Sequence, residues 1–180
     1  MKRTTFNALV LTIGVAALVA GALVSLRQDG PLAPASLSAN ALFGYTFDDA
    51  DGKPQPVVQW RERLLVVNFW ATWCAPCIEE MPDLQAVQTD YASRGVTVVG
   101  LAIDDAVAVR QFRDRLQLRL PLLITGAAGS DLSRQLGNTL GVLPYTVLVD
   151  ARGQIVRSKV GRLTGNELRT WLDRHLAKAA

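Results

Sequence analysis

The chain has 180 residues, 49% hydrophobic and 19% charged, with a formal net charge of +3. This length suits one domain with a full core, and the composition excludes a disordered or low-complexity protein. Two of the 19 basic residues, Lys2 and Arg3, precede an apolar run, and the other 17 face 16 acidic residues, so no charge excess points to a nucleic-acid partner.

From Thr4 to Leu26 no residue is charged, and Ala8–Leu26 is almost wholly apolar. That is long enough to cross a bilayer as one helix. Lys2 and Arg3 on the short flank favour a cytoplasmic N-terminus and an exported remainder. A cleaved signal peptide is the competing reading. Ala20-Gly21-Ala22 imitates its cleavage site but lies inside the run. We therefore expect residues 1–26 to be an uncleaved anchor that touches lipid through residues 4–26. Either reading exports the rest. Residues 27–40, rich in Pro, Ala and Ser, read as a flexible tether, and residues 41–180 as the domain.

Short strands are predicted over Ala41–Phe47 and Pro56–Trp60, around the turn-rich stretch Asp48–Pro54. Leu64–Trp70 is a continuous apolar run of strand length, as expected of a central strand buried on both faces. Cys77–Ser93 has helical spacing, with Ile78, Met81, Leu84 and Val87 on one face. Val96–Ile103 is a second buried strand. A helix over Ala106–Leu116, a short strand over Pro121–Thr125 and a helix near Asp131–Leu136 follow. Arg110, Arg113, Arg115 and Arg119 recur at near-helical spacing and read as a solvated helix face. Thr146–Asp150 and Gln154–Val160 form a hairpin around Ala151-Arg152-Gly153. Thr164 and Glu167 make a capping-box pattern that opens a last helix with Leu168, Trp171, Leu172 and Leu176 toward the sheet. The order βαβ, an additional αβα, then ββα, defines an α/β domain with a mixed sheet.

Cys74 and Cys77, in Trp73-Cys74-Ala75-Pro76-Cys77, are the only cysteines. As a staple they would close a very short loop and contribute less than the ~3 kcal/mol of a 15-residue loop. A zinc site needs three or four ligands. The chain offers one CxxC and one histidine, His175, read as a surface residue of the last helix, so no metal is expected. A reacting pair fits better. Cys74 falls between a buried strand and a helix, and Pro76 suits the first helical turn. The helix N-terminus favours a thiolate at Cys74. Cys77 sits one turn into the helix, more buried, within reach to resolve a mixed disulfide.

Asn68–Leu84 (NFWATWCAPCIEEMPDL), Gly141–Val156 (GVLPYTVLVDARGQIV) and the ending KVGRLTGNELRTWLDRHLA carry a resemblance over roughly residues 38–180. It is to the thioredoxin superfamily, specifically the membrane-anchored thiol:disulfide oxidoreductases of the TlpA/ResA type. The resemblance implies a thioredoxin fold with a mixed central sheet, an N-terminal β extension and a central αβ insertion between Asp104 and Gly141, preceded by one transmembrane helix. It implies Cys74 as exposed nucleophile, Cys77 as resolving thiol, and no cofactor beyond their redox-active disulfide. Pro144 matches the cis-proline opposite the disulfide, leaving the Leu143 backbone open to an added client strand. Trp73, Ala75, Pro76, Leu143 and Pro144 are thus the candidate client contacts. Pro82 matches a proline that kinks the active-site helix. Asn68 stands where cytoplasmic thioredoxins carry a buried aspartate, and Glu80 becomes the candidate proton acceptor, with neighbouring Glu79 solvated.

The implied partners are exported clients with cysteine pairs, such as apocytochrome c or copper proteins of oxidase assembly. An inner-membrane thiol transporter would supply electrons, with the domain facing the periplasm. The alternatives are a membrane-tethered non-catalytic binding module and, less favoured, a peroxiredoxin-like peroxidase, whose PxxxTxxC context is here replaced by WCAPC. Residues 1–26 oppose a cytosolic thioredoxin.

Overall fold

Leu64–Trp70 (β3) is buried at every position and is an interior strand of a seven-stranded sheet. The structure, a computed structural model, describes residues 38–179. The expected transmembrane segment lies outside these residues, and no helix among those described is long and apolar enough to cross a membrane. The other strands are β1 (Thr46–Asp49), β2 (Pro54–Pro56), β4 (Val96–Ala102), β5 (Leu122–Ile124), β6 (Tyr145–Val149) and β7 (Ile155–Val160). The helices are α1 (Ala75–Tyr91), α2 (Ala106–Leu116), α3 (Gly126–Gln135) and α4 (Gly165–Ala179).

The sheet order is β2-β1-β5-β4-β3-β6-β7. β3, β4 and β5 are parallel, while β6, β7 and the β1–β2 hairpin run antiparallel to their neighbours. The inserted strand β5 is what joins the N-terminal hairpin to the rest of the sheet, through Asp48 opposite Ile124 and Asp49 opposite Leu123. Two arginines of the row read as a solvated helix face brace that junction. Arg113 pairs with Asp51 at 2.8 Å, and Arg110 donates to the Ala50 carbonyl at 2.7 Å.

Alternation along β3 divides the core. Leu64, Val66 and Trp70 join Met81, Leu84 and Val87 of α1, Val109 and Phe112 of α2, and Leu168 and Leu172 of α4. Leu65, Val67 and Phe69 face the other side, with Leu42, Phe43, Leu132 and Leu136. Period-2 alternation puts Asn68 on the α1 face, an amide in a row that is otherwise apolar.

Three expectations are corrected. Ala41–Phe47 and Pro56–Trp60, read as strands, are largely the 3₁₀ turns Asn40–Gly44 and Val57–Trp60, which flank shorter strands. Their apolar residues, Leu42, Phe43 and Val57, plug one end of the second core, and a single apolar run does not separate strand from turn. The helix placed near Asp131 begins at Gly126, because Gly126-Ala127-Ala128-Gly129 offers no apolar periodicity to reveal its first turn. Folded structure also reaches the end of the stretch assigned to the tether. Ser38 bridges Gln154, and Ala39 is buried.

Candidate active site

Trp70 ends β3, and the chain turns through Ala71–Trp73 before α1 begins. Cys74 is the N-cap residue, Pro76 lies in the first turn, and the Cys77 and Ile78 N–H groups donate to the Cys74 carbonyl at 3.0 and 3.1 Å. Cys74 and Cys77 form a disulfide with sulfurs 2.08 Å apart. Cys74 keeps 7% exposure and Cys77 none, so a partner can approach only the first sulfur. Trp73, 68% exposed, stands beside it.

The turn before Cys74 is clamped by a residue that the sequence pattern did not mark. Asp104, just beyond β4, accepts from both the N–H and the hydroxyl of Thr72, at 2.8 and 2.6 Å. Its other oxygen accepts from the Asp105 N–H at 2.9 Å, and Asp105 caps α2 through the N–H groups of Val107 and Ala108. The cysteine turn and the inserted α2 therefore share one carboxylate anchor.

Facing the disulfide, the Leu143–Pro144 peptide bond is cis. Leu143 lines a groove of about 350 Å³ together with Trp73, Cys74, Pro76 and Ile103, closed by Ser130 and Ser133 of α3. The buried Asn138 side chain holds the rim loop, donating to the Val142 carbonyl at 3.0 Å and accepting its N–H at 3.2 Å. Leu140 and Val142 are left exposed on that rim. Of the five candidate client contacts, Trp73, Pro76 and Leu143 line this groove, whereas Ala75 and Pro144 do not.

Glu80 is fully buried on α1, one turn after Cys77. One carboxylate oxygen accepts from the Asn68 amide at 2.7 Å, the other from the Leu163 N–H at 2.7 Å. The Asn68 amide nitrogen also donates to the Thr146 hydroxyl at 3.0 Å, across the β3–β6 pair. Burial pushes the Glu80 carboxyl up to about 7, against the opposing pull of the Leu163 and Asn68 hydrogen bonds and the Arg162 and Lys159 charges. An ionisable group near neutrality can take up or release a proton at physiological pH. Glu79, by contrast, is exposed and paired with Arg162 at 2.8 Å.

Thr146, Leu163 and Asp104 were not legible as site residues because each contributes through tertiary contact. The nearest sequence signal was Asn68, a polar residue inside a buried strand. Pro82 lies inside α1. His175 is half-buried on α4, away from this site, and no group of three or more potential ligands gathers among the described residues.

A solvent-reached sulfur bonded to a buried one at a helix N-terminus defines a dithiol–disulfide exchange site. The comparisons make the class specific. Residues 30–172 match the Redoxin family. The thiol-disulfide oxidoreductase ResA of Bacillus thuringiensis (strain Al Hakam) is 30% identical over 131 residues, covering 71% of this chain and 72% of that protein. A thiol:disulfide interchange protein of the thioredoxin family from Chlorobium tepidum TLS superposes with a TM-score of 0.66 at 26% identity, covering 82% of this chain and 99% of that one. A secreted Mycobacterium tuberculosis disulfide oxidoreductase shares the fold at 22% identity, with a TM-score of 0.63 and 76% and 99% coverage.

The chain belongs to the Redoxin family and, within it, to the thiol:disulfide oxidoreductases of the TlpA/ResA type. Its fold is thioredoxin-like, and it is a protein-disulfide oxidoreductase that works through the Cys74–Cys77 pair without a cofactor. That removes the non-catalytic binding module considered above.

Proposed function

We propose that this protein reduces disulfides of exported proteins from the outer face of the cytoplasmic membrane. The Cys74 thiolate attacks a client disulfide, forming a mixed disulfide and releasing one client thiolate. Cys77 then loses its proton and attacks Cys74, freeing the second client sulfur and leaving Cys74 and Cys77 oxidised. Two electrons pass to the client, and a thiol transporter in the membrane returns them.

The observation that carries this reading is Glu80. Cys77 is sealed from solvent, and the buried carboxylate one helical turn away is held by Asn68 and Leu163 with a proton affinity near neutrality. It is suited to accept the Cys77 proton in the resolving step. Trp73, Pro76 and Leu143 supply an apolar bed for the client, with Ala75 next to Cys74 and Pro144 next to Leu143 in the chain. Residues 1–26 would anchor the chain, residues 27–40 would act as the tether, and the domain over 41–180 would face the periplasm. Clients of cytochrome c maturation or copper-oxidase assembly fit such a placement.

Trapping tests the proposal. Cys77→Ser leaves Cys74 able to attack but removes the resolving sulfur, so membranes carrying this variant should accumulate mixed disulfides with exported cysteine-pair proteins. Equal yields from Cys77→Ser and a Cys74→Ser, Cys77→Ser control would contradict it.

A further inference from the structure

Disulfide chemistry occupies one end of the sheet. β6 starts beside Pro144 and runs away from the disulfide to Val149, where the β6–β7 turn begins. Near that far end, β7 and the last turns of α4 enclose a groove of about 230 Å³. Its rim carries Arg157, Arg174, Lys178 and His175, and its floor Val156 and the half-buried Trp171. A second depression of about 400 Å³, lined by Asp150, Ala151, Arg152, His175 and Lys178, continues it to the turn.

Among the described residues, some cations are ion-paired and others, Lys53, Arg61, Arg63, Arg115 and Arg119 among them, are not; what marks this face is three unpaired cations around one concavity. Arg94, Arg113, Arg162 and Arg169 each pair with a carboxylate, at 2.7–2.9 Å. Among the described residues, no carboxylate pairs with Arg157, Arg174 or Lys178. Three exposed like charges around one concavity leave a positive potential that an anionic group would neutralise. The indole between them supplies an apolar body suited to a membrane interface.

The first described residues lie at the same end. Ser38 bridges Gln154, and the Ala39 N–H donates to the Gly153 carbonyl at 2.8 Å. The polypeptide thus joins the domain at the β6–β7 turn, next to the groove.

We propose that this basic face docks on anionic phospholipid headgroups and points the disulfide end away from the bilayer. The geometry rests on the anchor reading. Residues 27–37 reach at most about 40 Å when extended, so an anchored domain holds this face near lipid at high effective concentration. Each cation near an anionic surface should strengthen attachment about fivefold.

The test uses the full-length chain with vesicles of phosphatidylcholine, with or without about one-third phosphatidylglycerol. Trp171 is read by quenching with brominated lipid, against a Trp171→Phe background. Quenching should appear with phosphatidylglycerol. It should fall to the phosphatidylcholine level at about 0.5 M salt and in the variant Arg157→Gln, Arg174→Gln, Lys178→Gln. Turnover of a small soluble disulfide should be unchanged in that variant, since none of the three touches the exchange site. Equal quenching on both vesicles, or quenching that survives the triple substitution, overturns the proposal and leaves the face to an acidic protein or to solvent. Flotation on phosphatidylcholine alone reads the anchor separately. A chain that floats there but lacks lipid-dependent quenching keeps the anchor and refutes the docking face. One that floats only with phosphatidylglycerol, through a contact the triple variant abolishes, supports the face and refutes the anchor.

Discussion

Replacing Glu80 by glutamine removes one ionisation from a site that burial already holds near neutrality. In the folded, oxidised protein the carboxyl is raised from 4.5 to about 7. At 1.36 kcal/mol per pKa unit, that shift corresponds to roughly 3 kcal/mol against the ionised form. Because the folded value lies above the unfolded one, the native state binds more protons between pH 4.5 and 7. The cost is absent below that window, grows across it, and is complete above it, so stability falls as pH rises. Glutamine mimics the protonated acid and should abolish this loss. Its carbonyl can accept the Leu163 N–H. Its amide can donate to Asn68 Oδ1, which is buried without a partner, once the Asn68 amide turns over. We therefore expect Glu80→Gln to fold and to lack the ~3 kcal/mol decline between about pH 4 and pH 8 in urea unfolding. A lost general base costs on the order of a hundredfold, so resolution of a preformed mixed disulfide at pH 7 should slow by about that factor. Its inflection near 7 should vanish. Glu79→Gln should change neither quantity, since that carboxylate is exposed beside Arg162. A rate inflection near 7 that persists in Glu80→Gln would refute the assignment, as would an unchanged decline in stability.

Brief iodoacetamide labelling of the reduced protein near pH 7 should modify Cys74 well ahead of Cys77, as peptide mapping would show; preferential Cys77 labelling would reverse their roles. Asp104→Ala removes the acceptor of both Thr72 hydrogen bonds, and should cost about 2 kcal/mol in urea unfolding while altering the Cys74 labelling rate. An effect on stability alone would make Asp104 merely structural. Gly100→Ala would place a methyl 2.7 Å from Leu122 Cδ2 and 2.9 Å from Trp70 Nε1. It should cost about 1–3 kcal/mol by overpacking while leaving thiol reactivity intact, and an unchanged urea midpoint would show that β5 can yield there.

Segments whose environment is uniform were readable from the chain. Leu64–Trp70 is buried throughout, and its run of apolar residues gave both its type and its limits. The Thr164–Glu167 capping box is formed, with the Thr164 N–H and hydroxyl donating to Glu167 at 3.0 and 2.9 Å and the Glu167 N–H returning to the threonine at 3.3 Å. Short apolar clusters misled because Leu42, Phe43 and Val57 bury themselves from 3₁₀ turns, with no period to tell turn from strand. The cysteine pair was visible as a motif, and Glu80 was visible only through its resemblance to a family pattern. The partners that set its proton affinity were not. Leu163 acts through a backbone N–H, which has no sequence signature, and Asn68 reaches Glu80 only when α1 packs on β3. Asp104 is hidden for the same reason, since its contact with Thr72 spans two β–α connections.

The reduction potential of the Cys74–Cys77 couple, measured by equilibration of the full-length protein with glutathione or dithiothreitol buffers, tests the proposed direction of electron flow most directly. A protein that reduces exported clients should lie near thioredoxin, at about −270 mV, whereas a value near the −120 mV of a strong oxidant would contradict the proposal.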